Sequence, residues 1–468
     1  MEEIKTREQI DARSKWDLSS LFENDEAWEE TLAELRGAEQ EIRKFEGTLN
    51  TAGSVLKFFR YADQLEQKLE NLFVYASCRH DENTADAKAN GMYGRMYGTY
   101  VRIASAMAFA EPEFLSLDEE KLETIVNDRK LKDYRFRLEN LLRQKPHTLS
   151  SREETVLSAM SESFATASNA SGMLMDADMV FDKIRDGEGH TRALSNATYI
   201  PFQMSDDRLL RKRSFKAYYK GYKQHINTFA ATYSGTVATA TAEARLRGYE
   251  SSRAMSLAAD NIPVSVYDNL IETVHEHMDL MYRYLTLRKK ILGIRDLHYY
   301  DVYAPLSAGS SKTYTLRQAQ NMVVRAVTPL GEEYVSRVRN AYKDGWIDYY
   351  PSRGKRGGAY SSGTYSSNPV ILMNFNGSLD SVSTLAHEMG HSQHSWLTNH
   401  SQPYHYANYS LFVAEVASTV NENLLIDQLL SSCHEPKERL ALLNEYLEGF
   451  KGTVYRQTMF AEFEKIAH

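Results

Sequence analysis

Two histidines four residues apart, with a glutamate directly after the first, form the most chemically suggestive pattern in the chain. His387, Glu388 and His391 make up an HExxH pattern. On a helix, residues four apart lie above one another on the same face, so both imidazoles can bind one metal ion. Glu388 would then lie where it can act on a water molecule beside that ion. The pattern predicts metal-assisted hydrolysis.

The surrounding segment divides into two faces when it is placed on a helical wheel. The apolar face holds Val382, Leu385, Ala386, Met389 and Trp396. The opposite face holds His387, His391 and His394. We therefore expect a helix anchored by its apolar side, although a solvent-exposed polar face that merely contains histidines is the alternative. His394 is expected to pack or to form a hydrogen bond, because a zinc ion with three protein ligands needs no fourth.

Glu415 is the candidate for a third ligand, since a catalytic zinc site usually has three protein ligands and one open position. It lies in segment 410–430, which has a strong helical pattern, and its neighbours are largely apolar. A carboxylate in such surroundings is costly to bury without a cation. A surface salt bridge is the alternative. Ser418 and Glu422 share its helix face and are candidates for orienting a ligand, and Glu422 could equally be a solvated residue.

The stretch before the histidine helix, residues 347–377, is rich in Gly, Ser and Tyr and differs from the rest of the chain. Its apolar run Val370–Phe375 predicts a short strand, which could pair with an extended peptide. The loop Gly354–Gly363 contains four glycines and Tyr360. It could close over a substrate, or it could be a plain connector.

Elsewhere the pattern is helical, because Pro and Gly are sparse, at 10 and 24 of 468 residues. The fold is therefore predicted to be mainly α, with a small β-sheet near the histidine helix. Helical spacing is found in segments 17–46, 54–110, 150–180, 205–247, 264–292 and 314–343. Asp17 or Ser19 is the expected cap of the first segment, and Gly221 and Gly235 are expected weak points of the fourth.

A hairpin turn is expected at residues 186–189, between two apolar runs. We place a domain boundary near it. This gives an N-terminal helical domain over residues 1–195 and a catalytic domain over residues 196–468.

Composition narrows the class of protein. Hydrophobic residues make up 42% of the chain and the net charge is −8, which argues against bulk disorder and against a dedicated nucleic-acid binder. Two cysteines exclude a disulfide framework and a cysteine-based zinc site. The N-terminus is charged throughout, and no apolar stretch is long enough to span a bilayer. We expect a cytoplasmic protein without a membrane partner, and its oligomeric state stays open.

The HExxH pattern and several sequence blocks around it resemble a known family. The block HEMGHSQHSW, followed by SLFVAEVAST, resembles the M3 family of zinc metallopeptidases and, within it, the oligoendopeptidase F group. The upstream GAYSSGTYSSNPVILMNF and the stretch at 292–306 are similar to the same family. The resemblance covers most of residues 200–468 with specific motifs and the N-terminal part more loosely.

The resemblance implies one zinc ion per chain, bound by His387, His391 and Glu415, with Glu388 as the general base. It also implies a mostly helical fold with a deep cleft that admits flexible oligopeptides. Family members have a further C-terminal segment with an Arg-Ile-Pro-His-Phe-Tyr block, which is absent from these 468 residues. We expect the chain to be truncated there, which would cost it groups that hold the developing oxyanion.

The favoured function is a zinc-dependent endopeptidase acting on short unstructured peptides. The main alternative is a non-catalytic, peptide-binding helical protein of the same fold. A helical scaffold with an accidental HExxH pattern is a third possibility.

Overall fold

The computed structural model describes residues 5–306 and 312–468, and these are predominantly α-helical. The first ten helices are α1 (Asp25–Glu34), α2 (Ala38–Arg43), α3 (Ala52–Glu82), α4 (Ala87–Met107), α5 (Ala110–Leu115), α6 (Glu119–Val126), α7 (Arg135–Gln144), α8 (Ser151–Met173), α9 (Asn196–Gln203) and α10 (Arg208–Gln224). The next ten are α11 (Ile226–Leu246), α12 (Ser252–Ala258), α13 (Val264–Glu276), α14 (Met278–Ile291), α15 (Leu316–Ala326), α16 (Glu332–Lys343), α17 (Leu379–Ser401), α18 (Leu411–Ser432), α19 (Pro436–Phe450) and α20 (Arg456–Ala467).

Five short strands form two small sheets among the described residues. They are β1 (Ile184–Arg185), β2 (Thr191–Arg192), β3 (Ile347–Asp348), β4 (Tyr360–Ser362) and β5 (Val370–Leu372). β1 and β2 pair antiparallel around the turn at 186–189, as the sequence predicts. The second sheet has the order β3-β5-β4, with β5 parallel to β3 and antiparallel to β4. The mainly α fold with a small sheet before α17 is confirmed.

Contacts divide the chain into two compact units, and each contains two separate segments of sequence. The first unit comprises Met1–Lys145 and Lys312–Ser432, and the second comprises Pro146–Ser311 and Cys433–His468. This division describes packing alone. The boundary between residues 195 and 196 stays a prediction.

Strand β5 lies between two hydrophobic cores of the first unit. Val370 and Leu372 pack into a core built by α1 to α4, whereas Ile371 and Met373 pack into a second core built by α15 to α18. Successive strand residues point to opposite faces, so a strand covered on both faces is apolar throughout. Because β3 and β4 occupy its two edges, β5 has no free edge for a peptide. The hypothesis that Val370–Phe375 pairs with a substrate is therefore wrong.

The loop before β4 is held at several points. The backbone N–H of Thr84 donates to the carbonyl of Gly354 at 2.8 Å. The buried ammonium of Lys355 lies 2.6 Å from a carboxylate oxygen of Asp348 and donates to three backbone carbonyls. The amide of Asn374 donates to the carbonyls of Arg356 and Gly358. These contacts favour a fixed connector over a closing loop.

The predicted helical segments are present, but most are divided and their ends differ. The segment at 17–46 contains α1 and α2, and Asn24, rather than Asp17 or Ser19, caps α1. The segment at 205–247 is a helix pair that breaks at His225. Gly221 is not a weak point, because it lies inside α10, where a Cβ would be 2.9 Å from the ring of Phe181. Gly235 likewise lies inside α11. A glycine on its own therefore does not locate the break in this segment.

The second unit contains a buried ion cluster around Asp301. This residue is 0% exposed and accepts hydrogen bonds from Arg208 at 2.9 and 3.0 Å and from Arg211 at 3.1 Å. The cluster joins the start of α10 to the segment after α14. Burial opposes ionisation of Asp301, but the two guanidinium groups outweigh it and hold its pKa below the ordinary value.

In the part of the chain that the structure describes, no helix combines the length and the apolar character needed to cross a bilayer.

Replacing the buried carboxylate should destabilise the second unit in a pH-dependent way. At pH 7, Asp301→Asn should lower the free energy of unfolding by about 3–5 kcal/mol, because two arginines lose a buried anion. A carboxylate with a lowered folded pKa stabilises above its unfolded pKa of about 3.9 and loses that contribution as pH falls through the folded value. The difference from wild type should therefore narrow below about pH 4. Urea denaturation at several pH values measures it.

Asp182→Asn is the matched control, because Asp182 forms an exposed ion pair with Lys220. It should change stability little at any pH. Equal effects of the two variants would contradict the role assigned to the buried cluster.

Candidate metal centre

The centre is built on the crossing of α17 and α18. Ser378 caps α17 by accepting a hydrogen bond from the backbone of Ser381. Four of the five residues of the predicted anchoring face, Val382, Leu385, Ala386 and Met389, are each 0% exposed, and the fifth, Trp396, is partly buried against the same core. The opposite face presents His387 and His391 towards α18, where Glu415 lies close to both rings.

Gly390 allows the two helices to approach closely. A Cβ on this residue would lie 2.6 Å from the carbonyl oxygen of Ala417 and 2.7 Å from the Cα of Ser418. No side chain fits in that space without moving a backbone. The glycine inside the HExxH pattern is therefore a packing requirement, and it brings Glu415 within reach of the histidines.

Asn421 fixes the register of the pair. It is 0% exposed, and its amide donates to the carbonyl of Ala386 at 3.1 Å, next to His387. The hydroxyl of Tyr334 donates to the Asn421 carbonyl oxygen at 3.0 Å. A buried amide with both ends bonded specifies one relative position of two helices.

The N-terminal half of helix α18 presents its polar side to α17, and its apolar side is exposed there, whereas Leu425 further along the helix is buried. Ser418 and Asn421 are fully buried, whereas Val416 is 58% exposed. Helix wheels normally predict the reverse. The inward polar side is what places Glu415 and Glu422 at the histidines.

Three donor atoms form a compact triangle. The Nε2 atoms of His387 and His391 are 3.1 Å apart, and Oε2 of Glu415 lies 3.5 and 3.4 Å from them, respectively. Ligands bound tetrahedrally at about 2.0–2.2 Å lie about 3.3–3.6 Å from one another. The residues present therefore fit a zinc-sized ion, and two imidazoles with one carboxylate are a donor set that such an ion prefers.

Further contacts orient each of the three donor side chains. His387 bonds through Nδ1 to a carboxylate oxygen of Glu422, which can only accept, so Nε2 keeps its lone pair free. Ser418 donates to Oε2 of Glu415 at 2.7 Å. The carbonyl of Ala414 interacts with the His391 ring. The expectation that Ser418 and Glu422 orient ligands agrees with these contacts.

Charges around the triangle shift several pKa values. Burial opposes protonation of His387, but Glu422 outweighs it and raises its pKa. Burial and the neighbouring His387 lower the pKa of His391. Burial raises the pKa of Glu388 to about 7, while His387 and, to a smaller extent, the backbone N–H of Ser361 act in the opposite direction. Glu388 is only 6% exposed, so its carboxyl group lies in a protected position beside the triangle.

The structure brings together all four residues singled out from the sequence, and it places His394 apart from the triangle. The His394 ring stacks on Tyr409 with a centroid distance of 3.7 Å. It packs rather than joins the donor triangle, as expected. Sequence reasoning missed Ser361, Gly390 and Asn421. Gly390 and Asn421 carried a signal, since a glycine inside a helix and an amide in an apolar run both call for a packing reason.

Similarity to known proteins agrees with this geometry. The model of peptidase family M3 matches residues 202–468, and that of oligopeptidase F matches residues 113–181. Oligopeptidase PepF of Bacillus subtilis is 40% identical over 468 residues, which cover 100% of this chain and 70% of the relative. The chain belongs to peptidase family M3.

Similarity to other proteins supports the assignment of this chain to family M3. Group B oligopeptidase PepB of Streptococcus agalactiae is 39% identical, with 99% of this chain and 77% of PepB covered. The crystal structure of oligoendopeptidase-F from Enterococcus faecium matches with a TM-score of 0.69 and 32% identity, covering 95% of this chain and 75% of that one. A crystal structure from Chlamydophila abortus matches with a TM-score of 0.91 and 33% identity, covering 100% and 79%, respectively. The M3 chain is thus a metallopeptidase, a hydrolase that acts on peptides.

Adding one methyl group at the helix crossing should disturb the centre. Gly390→Ala should lower the free energy of unfolding by about 1–3 kcal/mol, because its Cβ overlaps backbone of α18. Separation of the helices should also weaken metal binding by the M3 centre. Urea denaturation and competition with a zinc chelator measure the two effects.

Gly94→Ala is the matched control, because Gly94 lies inside α4 and a Cβ added there would meet no atom within 4 Å. It should leave metal affinity unchanged and stabilise the protein by about 0.5–1 kcal/mol. Unchanged metal affinity in Gly390→Ala would contradict the close-packing argument.

Proposed function

We propose that this chain is a zinc-dependent endopeptidase that hydrolyses internal bonds of short, unstructured oligopeptides. The observation that carries the proposal is the donor triangle of His387, His391 and Glu415, with Glu388 buried beside it. Family membership supports peptide hydrolysis. The oligopeptidase names of the relatives support short peptides as the substrate class.

In this proposal the three donors hold one zinc ion per chain. The ion, when bound, supplies a Lewis acid that polarises the scissile carbonyl and acidifies water. Glu388 takes up the proton released from water and returns it to the leaving amine. Glu388 is 6% exposed, so bulk water has little access to the carboxyl group that carries this proton.

Glu422 and Ser418 hold the ligands in place. Glu422 accepts the Nδ1 proton of His387, which keeps Nε2 directed at the centre. Ser418 restrains the carboxylate of Glu415, whose side chain is 58% exposed and would otherwise be mobile. The exposed side of Glu415 leaves the centre open to solvent and to a peptide. The cytoplasmic location stays a prediction from the sequence.

Neutralising Glu388 should separate catalysis from metal binding. Glu388→Gln should lower kcat by about 10²–10⁴-fold, because the amide cannot accept the proton. Zinc content should stay at one ion per chain, since Glu388 is outside the donor triangle. Cleavage of an internally quenched peptide library, with and without EDTA, and atomic absorption measure these quantities.

Glu332→Gln is the control for this substitution, because Glu332 is exposed on α16. It should retain full activity. Undiminished turnover by Glu388→Gln would disprove the role of Glu388. Peptide binding without EDTA-sensitive cleavage by the wild type would support the non-catalytic alternative.

Removing the charge of Glu422, which bonds to His387, should weaken zinc binding. Glu422→Gln should lower zinc affinity by about 10–100-fold, because a neutral amide supports the imidazole less than a carboxylate does. Chelator competition measures the affinity. Asp427→Asn, an exposed position on the same helix, should have no effect. Equal affinities in the two variants would show that Glu422 does not support the ligand.

A further inference from the structure

The three-residue strand β4 lies between the metal-site helix and the N-terminal helix α3. Tyr360 and Ser361 are neighbours, so their side chains point to opposite faces of the strand. The Tyr360 side chain reaches α3, and the Ser361 side chain reaches α17. One short strand therefore contacts two helices from different parts of the sequence.

On the α17 side, two contacts join Ser361 to the helix. Its hydroxyl lies 2.8 Å from that of Ser392, which is 0% exposed and one turn beyond Glu388. Its backbone N–H interacts with the carboxyl group of Glu388. The position of this N–H relative to Glu388 thus depends on where β4 lies.

On the α3 side, the hydroxyl of Tyr360 donates to Oδ2 of Asp81 at 2.9 Å. The Asp81 side chain is only 3% exposed and is itself held, because His80 lies 2.8 Å from Oδ1 and Arg356 lies 3.2 Å from Oδ2. The backbone N–H of Arg356 also donates to the carbonyl of Asp81 at 3.0 Å. Burial and the neighbouring side chains of Cys78 and Asp81 raise the pKa of Tyr360, so its hydroxyl remains a donor.

These anchors matter because β4 is only three residues long and lies at the edge of its sheet. It pairs with β5 over three residues, and within the described residues its other edge has no strand partner. Small displacements of groups around a reacting centre lower rates steeply, by up to about a hundredfold for 1 Å. Helix α3 lies outside both segments matched by the family models, which cover residues 113–181 and 202–468.

We propose that Tyr360 and Asp81 are positioning residues for Glu388: their hydrogen bond fixes β4 so that the Ser361 N–H meets the Glu388 carboxyl group. The inference rests on the proposed function, in which Glu388 transfers the proton. Neither residue touches the donor triangle. Their effect passes through the backbone of β4.

Tyr360→Phe is the direct test, because it removes the hydroxyl and keeps the ring. We expect kcat for a quenched peptide to fall about tenfold, with KM changed less than twofold, since proton transfer is disturbed and substrate contacts are retained. Zinc content should stay at wild-type level. Deuterium uptake of the segment containing residues 358–364, measured by mass spectrometry, should become faster.

Tyr75→Phe is the matched control. The Tyr75 hydroxyl also donates to a buried aspartate, Asp25, at 2.9 Å. Tyr75 belongs to the hydrophobic core of α1 to α4, against which Tyr360 also packs. This variant should lose similar stability while kcat and the exchange of residues 358–364 stay at wild-type values. Asp81→Ala should reproduce the loss seen in Tyr360→Phe, and Asp81→Asn, which keeps an acceptor, should recover part of it.

Equal kcat values in Tyr360→Phe and Tyr75→Phe would overturn the inference. So would faster exchange at β4 with kcat unchanged, because the bond would then be only structural. Cleavage by the wild type that Glu388→Gln does not reduce would instead contradict the proposed function. If the wild type cleaves no peptide, the exchange measurement decides: unchanged uptake at β4 in Tyr360→Phe would overturn the link from α3 to β4, and faster uptake would support it.

Discussion

The centre depends on the contact between two helix backbones at Gly390. Because a Cβ there would overlap Ala417 and Ser418, only glycine allows α18 to lie close enough for Glu415 to meet both histidines. The buried Asn421 then fixes the register, and Ser418 and Glu422 restrain the side chains of Glu415 and His387. Gly390 allows the two helices to approach closely, and the polar contacts then select one arrangement of the pair.

This constraint explains an inversion in helix α18. Because α18 brings the carboxylate of Glu415 to the two histidines, it turns polar residues towards α17, and the apolar side of its first turns faces away from that contact. Burial of Ser418 and Asn421 has no hydrophobic gain of its own. The cost is offset because each buried polar group has a partner, and because α15 and α17 pack Leu425 into the adjacent core.

Local signals predicted much of the molecule, and tertiary contacts account for the rest. His387, Glu388, His391 and Glu415 follow from spacing on two helices, and the anchoring face of α17 follows from its periodicity. The division of segment 205–247 at His225 had no local marker, and the glycines suggested the wrong positions. The central place of β5 could not be inferred, since an apolar run indicates that both faces of a strand are covered but not whether both of its edges are paired. The role of Ser361 depends on a backbone N–H, which has no signature in residue type.

The location of the donors also bears on the order in which the protein folds. His387 and Glu422 are 35 positions apart, so the metal centre is a local helical hairpin. The core beside β4 instead joins residues 16–103 to Val370 and Leu372. Residues 146–311, which belong to the second unit, separate these two parts in the sequence. Contacts of low sequence separation form faster than those that close long loops. In a newly made chain the donor triangle would therefore form early, and the packing of β4 beside Glu388 would be completed late. On the proposed role of Glu388, peptide hydrolysis would have to wait for this long-range folding.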